Sequence, residues 1–242
     1  MSSIKDEKGY NQSFIKTTSS EIRLNRRFDY MMDKMNTHLD INNVSVLEIG
    51  CAEGDGLFYL AKKSKFNYVG VDISEQFINN ANKKYTLDNL RFELIDVNDE
   101  KNFLSSFGEG SFDYIIGNGI LHHLYYDLDN SLLTLFRILK KNGKIIFIEP
   151  NLYNPYIFLI FKNRYFRKIA SLEPTEMAFT DKYIRKKILN AGFSNCETII
   201  KDFLLPNTPK IFINSLIKIG TFLEKTSLTY FAQSIFIEAS KA

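Results

Sequence analysis

The chain has 242 residues, of which 45% are hydrophobic and 24% charged, and a formal net charge of +3. That composition describes one ordinary globular domain with ample core and excludes a disordered chain or a fibre, while so small a charge without a long basic block gives no sign of a nucleic-acid partner. Cys51 and Cys196 form no CxxC pair and read as free thiols of a cytoplasmic protein without a signal peptide, and the longest apolar run, Tyr156 to Phe161, is far short of the ~20 residues a membrane-spanning helix needs.

Residues 1 to 16 are polar and read as a loose leader. Ser19 or Ser20 then caps a helix in which Phe28, Met31, Met32, Met35 and Leu39 recur at helical spacing, with Arg23, Arg26 and Arg27 on the polar side. The simplest reading of these arginines is a solvated face. Residues 1–43 are accordingly set apart as an N-terminal helical cap, and residues 44–242 as the main domain.

Val44, Val46, Leu47 and Ile49 make the apolar run of a strand buried on both faces. It enters a turn containing Gly50, Gly54 and Gly56, and Leu57, Phe58, Leu60 and Ala61 continue as a helix. Glycines permit a sharp turn and close approach of a ligand, and the helix start presents free N–H groups, so the segment reads as a nucleotide-type pocket. The Lys-Ser/Thr pair of a P-loop is absent. The dinucleotide fingerprint fits poorly, because counting from Gly50 gives Ala52 and then Asp55. A second strand, Tyr68 to Asp72, also ends in an acid. Asp72 stands 18 residues after Gly54, close to the roughly 20-residue separation at which an acid on a second strand reaches ribose hydroxyls. Its alternative role, capping the next helix, is already filled by Ser74.

The helix Glu75 to Tyr85 leads to an alternating strand, Leu90 to Asp96, that ends in a third acid; Asp96 reads equally well as a turn residue before Asn98. Next, a strand over Tyr114 to Ile116 runs into Gly117-Asn118-Gly119 and then Ile120-Leu121-His122-His123-Leu124. His122 and His123 begin the turn that follows; two adjacent histidines could not both face the same way in a helix, so at most one is expected to face the site, and His123 is favoured. No metal is expected, since His38 is the remaining histidine and no Cys/His/Asp set has ligand spacing. A helix over Leu128 to Leu139 should end in Lys140-Lys-Asn-Gly143 with Gly143 as a left-handed cap, followed by a fifth strand, Lys144 to Pro150. Two insertions follow, at about 151–173 and 206–228. The first is rich in aromatics and in Lys162, Arg164, Arg167 and Lys168; the second carries a helical stripe of Ile213, Leu216, Ile217 and Gly220. Between and after them the pattern gives a helix over Phe179 to Ala191, a strand from Phe193 to about Leu205, and a last strand over Phe231 to Ala239.

Three stretches carry a family resemblance. Val44 to Gly56 resembles motif I of the class I S-adenosylmethionine-dependent methyltransferases, E/D-x-G-x-G-x-G, with Glu48, Gly50 and Gly54 in place and Ala52 at the middle glycine. Gly110 to Leu124 resembles the fourth-strand motif of the same superfamily in its LHHL subgroup, and Leu139 to Pro150, LKKNGKIIFIEP, resembles its fifth strand. The match is to the type 11/12-like small-molecule branch. What the resemblance implies is an α/β, Rossmann-like, doubly wound seven-stranded sheet with an antiparallel final strand and helices on both faces, binding S-adenosylmethionine and releasing S-adenosylhomocysteine. Glu48 would partner the ammonium group through the loop of Gly50, Ala52 and Gly54, with Asp72 and Ile73 beside the ribose and adenine. Asp96 and the Val97 N–H would meet the adenine, Asn118 the amino acid portion, and His123 would form a wall near the methyl group. The leading helix would lie over the site as a lid. Asn154-Pro155-Tyr156 has the letters of an amino-methyltransferase signature but stands after the fifth strand instead of the fourth, so that reading is set aside. The expected acceptor is a small molecule, such as a polyprenyl-linked or cell-envelope saccharide intermediate, with the insertions as its cover; contact of the basic and aromatic segment with a membrane surface is the other use of that composition. A Rossmann-sheet NAD-dependent oxidoreductase and a non-catalytic cofactor-binding regulator are the competing readings.

Overall fold

The computed structural model describes residues 17–35, 43–170, 172, 175–205 and 208–242. The expected leader over residues 1 to 16, His38 and Leu39 lie outside these, as do residues 171, 173, 174, 206 and 207 of the two insertions. Seven strands form one mixed sheet: β1 (Ser45–Ile49), β2 (Asn67–Asp72), β3 (Leu90–Leu94), β4 (Phe112–Asn118), β5 (Leu139–Pro150), β6 (Ser194–Lys201) and β7 (Ser234–Ser240). Their order is β3-β2-β1-β4-β5-β7-β6. The first five pair in parallel, whereas β7 runs antiparallel to both β5 and β6. This is the expected doubly wound topology. The order reverses between β1 and β4, and at such a switch point the carboxyl ends of the strands open a crevice for a ligand.

Strict alternation along the central strands builds two cores. Leu47, Ile115, Ile145 and Phe147 face one side, against Phe103 of α4 (Glu100–Phe107), Leu132 and Leu135 of α5 (Leu128–Ile138), and Ile184 and Ile188 of α8 (Asp181–Asn190). Val46, Tyr114, Ile116, Ile146 and Ile148 face the other, against α1 (Thr18–Met35), α2 (Asp55–Ala61) and α3 (Glu75–Lys84). A period of two with both phases apolar is what a strand covered on both faces requires. The leading helix belongs to the second core: Phe28, Met31, Met32 and Met35 are all buried. Its approach to α2 depends on Gly56, where an added Cβ would stand 2.2 Å from Phe28 Cζ.

Several boundaries differ from the sequence reading. α5 stops at Ile138, and Leu139 already pairs with Phe112, so Lys140 to Gly143 belong to an irregular stretch of β5 with a register shift. The left-handed residue is Asn142 (φ 63°), not Gly143. Gly143 is required by close approach instead, because a Cβ there would lie 2.8 Å from Leu139 Cγ and 2.9 Å from the Asp113 carbonyl. β6 ends at Lys201, where Asp202 (φ 78°) turns the chain, and Ser227–Phe231 is a 3-10 helix ahead of β7. The first insertion contains α6 (Pro155–Lys162) and α7 (Arg164–Ile169), and the second contains α9 (Ile213–Leu223). Asn154 caps α6 by accepting from Ile157 N–H at 3.0 Å, with Pro155 in the first turn, which gives the Asn-Pro-Tyr letters a purely structural reason. No helix among the described residues is long and apolar enough to cross a membrane.

Candidate active site

After Ile49 the chain passes through three left-handed residues, Gly50 (φ 67°), Ala52 (φ 48°) and Gly54 (φ 78°). That conformation costs alanine about 1–2 kcal/mol, and hydrogen bonds hold it: Cys51 N–H to the Val71 carbonyl at 3.0 Å, Gly54 N–H to the Cys51 carbonyl at 2.9 Å, and Ala52 N–H to Asp72 Oδ2 at 2.9 Å. Asp72 Oδ1 accepts from Ser74 N–H at 2.9 Å, so one carboxylate ties the first loop to the second. Burial raises the Asp72 pKa, against the pull of the Ser74, Ala52 and Ile73 N–H groups. Gly54 is confined by the protein itself, since a Cβ there would lie 2.4 Å from Phe92 Cζ.

Glu48 is 3% exposed, and burial, with Asp72 and Asp55 nearby, pushes its pKa well above the carboxylate range. Its Oε2 has no hydrogen-bond partner among the described residues. A buried acceptor left open beside a left-handed loop is a place for a donor from outside the chain, and an ammonium group is the donor that would most favour ionised Glu48. The residues present therefore fit S-adenosylmethionine at this point. Ile73, beside Asp72, is 43% exposed, as an apolar wall for a ring would be. Asp96 is exposed and accepts from Asn98 N–H at 2.9 Å, the turn role left open by the sequence, while the Val97 side chain is buried in the first core.

Asn118, at the end of β4, accepts through Oδ1 from Arg27 Nη1 at 2.9 Å. Arg27 reaches it from α1 and is 8% exposed; its Nε and Nη2 donate to Asp202 Oδ2 at 3.1 and 3.0 Å, and Nη2 also to Ser234. Arg23 donates to the same carboxylate oxygen at 3.1 Å. The solvated face therefore holds for Arg26 and fails for Arg23 and Arg27, because the turn after β6 brings Asp202 under the helix. Sequence alone offered no sign of this pairing, whose partners are 175 residues apart.

His122 and His123 lie on the turn after β4, as expected, so helix geometry does not force them to diverge. Their rings sit 4.1 Å apart at 38°. Glu149, one residue before the end of β5, is fully buried and takes four donors: Ile120 N–H (3.0 Å), Leu121 N–H (2.8 Å), His122 N–H (3.3 Å) and His122 Nδ1 (2.8 Å). His123 Nδ1 lies 3.4 Å from Glu176 Oε1. Burial, with His122 beside it, drops the His123 pKa to about 2, so the ring is neutral and the contact with Glu176 is dipolar. Donor atoms of His122, His123 and Glu176 lie within 4.8 Å of one another, a cation-competent set that no sequence spacing announced. The first insertion closes over this group: the Phe161 ring stands edge-on to His122 at 6.1 Å, and Arg167 Nη1 donates to the carbonyls of Phe161 and Glu176 at 3.0 and 3.1 Å. Glu149 is the residue the sequence reading passed over, although it repeats the signal already used for Glu48, Asp72 and Asp96, an acid at the carboxyl end of a strand.

A family profile described as a methyltransferase domain matches residues 40–201. The chain belongs to that family. With its topology and motif I, this methyltransferase falls in the class I S-adenosylmethionine-dependent superfamily. A fatty-acid O-methyltransferase from Mycolicibacterium smegmatis is 27% identical over 132 residues, 54% of this chain and 46% of that enzyme, so the chain spans under half of that relative's length. A tRNA (guanine-N(7)-)-methyltransferase from Prochlorococcus marinus is 25% identical over 194 residues, covering 72% of this chain and 80% of the relative. Among solved structures, a SAM-dependent methyltransferase from Archaeoglobus fulgidus superposes with a TM-score of 0.65 at 19% identity, covering 92% of this chain and 95% of that one. At that identity the likeness concerns the fold.

Proposed function

We propose that this chain transfers the methyl group of S-adenosylmethionine to a small-molecule acceptor whose oxygen, nitrogen or carbon gives up a proton, and that His122 takes that proton. The observation that carries the reading is the 2.8 Å contact between His122 Nδ1 and Glu149. A carboxylate accepting from Nδ1–H fixes the tautomer and leaves the Nε2 lone pair free to act as a base. The cofactor supplies a methyl group already activated on a sulfonium. The chain then has to align, exclude water and receive the proton. Glu48, the Gly50 to Gly54 loop and Asn118, steadied by Arg27, hold the amino acid end in this scheme, and Asp72 and Ile73 the ribose and adenine side. His123, kept neutral by burial, serves as wall. The first insertion, with Phe161 against His122, covers the acceptor, and α1 reaches the site through the Arg27–Asn118 bond. Lipid-linked and cell-envelope saccharide acceptors, whose hydroxyls have a proton to lose, are the classes to try first, since the cover is aromatic and aliphatic; a fatty acid, already ionised, would need no base.

The test is release of S-adenosylhomocysteine from the full chain with S-adenosylmethionine and a panel of fatty acids, phosphoethanolamine, quinols, polyprenyl-linked saccharides and tRNA. Turnover is expected with a small acceptor. His122→Ala should lower kcat by about 10²–10⁴ with S-adenosylhomocysteine affinity kept, and His123→Ala should cost less. Methylation of tRNA alone, or a larger loss at His123 than at His122, would overturn the reading.

A further inference from the structure

The two insertions expose most of what is apolar on this surface. α6 buries Phe161 and no other residue, α7 buries none, and α9 buries Ile213 and Gly220 alone. Tyr156 (53%), Tyr165 (69%), Ile169 (63%), Ile211 (80%), Ile219 (53%) and Phe222 (68%) stand in solvent. A helix carrying this much exposed apolar surface is normally covered by something. The two segments are also joined to each other. Asn154 Nδ2 donates to the Phe231 carbonyl at 2.6 Å, Asn151 Nδ2 to the Tyr230 carbonyl at 3.0 Å, and the Tyr153 and Tyr230 rings lie 4.4 Å apart.

Charge identifies the cover. Residues 152–170 and 208–231 hold seven lysines and arginines and one acid, Glu224, so the rest of this +3 chain is net acidic. Glu224 is engaged with the Asp202 N–H at 2.9 Å. Lys162, Arg164, Lys168, Lys210, Lys218 and Lys225 are exposed, and none forms an ion pair with a carboxylate among the described residues. A second copy of the same surface would set these cations against their own kind, and protein interfaces are depleted of lysine at their centres. The boundary of an anionic bilayer meets both demands, taking aromatic and aliphatic side chains among its acyl chains and lysines at its phosphates.

We propose that the surface formed by α6, α7 and the α9 segment docks on the interface of an anionic membrane, lying in its plane without crossing it. Docking would set the cover of the His122 site against the lipid, whether or not the acceptor is itself a lipid. The test is flotation of the full chain with phosphatidylcholine vesicles with and without phosphatidylglycerol, in the absence of any methyl donor or acceptor, so that its outcome is separate from that of the turnover assay. The chain should float with the anionic vesicles and not the neutral ones, and less so as salt rises. Lys162→Glu with Arg164→Glu and Lys168→Glu should lower the partition coefficient by about tenfold or more, as should Ile169→Ser with Phe222→Ser, with melting temperature and S-adenosylhomocysteine binding retained in both. Absence of flotation, flotation unaffected by either variant, or a stable dimer dissolved by Ile169→Ser with Phe222→Ser would each overturn the proposal, the last by making a second copy the occupant.

Discussion

Asp72 carries a double load: both its oxygens already accept backbone N–H groups, from Ala52 and Ser74, at 2.9 Å each. A carboxylate has about four lone-pair sites, so two bonds to the loops leave room for ribose hydroxyls. Removing it does more than delete a ligand contact. Asp72→Ala orphans two partly buried donors at about 1–3 kcal/mol each and frees Ala52 from the bond that holds its left-handed φ. Asp72→Asn keeps one carbonyl oxygen to accept and loses the charge. Calorimetry with S-adenosylhomocysteine should show Asp72→Ala weakened by about 2 kcal/mol or more and the melting temperature lowered with it, and Asp72→Asn weakened less on both counts. Unchanged affinity in a folded Asp72→Ala variant would remove this residue from the binding site.

The packing of α1 on α2 turns on one glycine. With the Phe28 ring 2.2 Å from where a Gly56 Cβ would sit, Gly56→Ala forces ring or helix to move, an overpacking cost of about 1–3 kcal/mol. Phe28→Leu leaves a void and is destabilising alone. Combined, the alanine methyl fills part of the space the ring vacates, so the double variant should unfold at higher denaturant than the sum of the two losses predicts. Strict additivity in urea melts would mean that the two helices do not bear on each other there. The same element shows what was legible in sequence. The left-handed glycine loop after β1, the acid closing β2 and the doubly wound strand order are local or follow from connection rules, and they match the structure, whereas β3 stops at Leu94 and leaves Asp96 in the turn beyond it. The pairing of half-buried Arg23 and buried Arg27 with Asp202 was not legible, because nothing near residue 27 encodes a carboxylate at residue 202. The His122–Glu149 pair was half legible: each residue stood in a recognised motif, but nothing near His122 encodes the carboxylate 27 residues further on that its ring meets.

At the scale of the whole molecule, protonation should link folding to ligand binding through Glu48. Burial raises its folded pKa well above the ordinary 4.5, so between 4.5 and the raised value the native chain holds a proton that the unfolded chain has lost. Stability then falls as pH rises through that window. Asp202 has the opposite sign: burial alone would raise its pKa, but Arg27 and Arg23 outweigh that and hold it below 3.8. Its contribution is therefore present above 3.8 and lost as pH falls further, in a range that does not overlap the first. A cation set against Glu48 favours the ionised form, so binding expels the proton. Consequently S-adenosylmethionine should bind more tightly as pH rises above 4.5, with proton release visible in calorimetry across buffers of different ionisation enthalpy, and its stabilisation of the fold should grow in step. Glu48→Gln should weaken binding, abolish the proton release and flatten the limb above 4.5, while leaving the acid limb of Asp202 where it was. If proton release were equal in wild type and Glu48→Gln, the open oxygen of Glu48 would not be where the ammonium group binds.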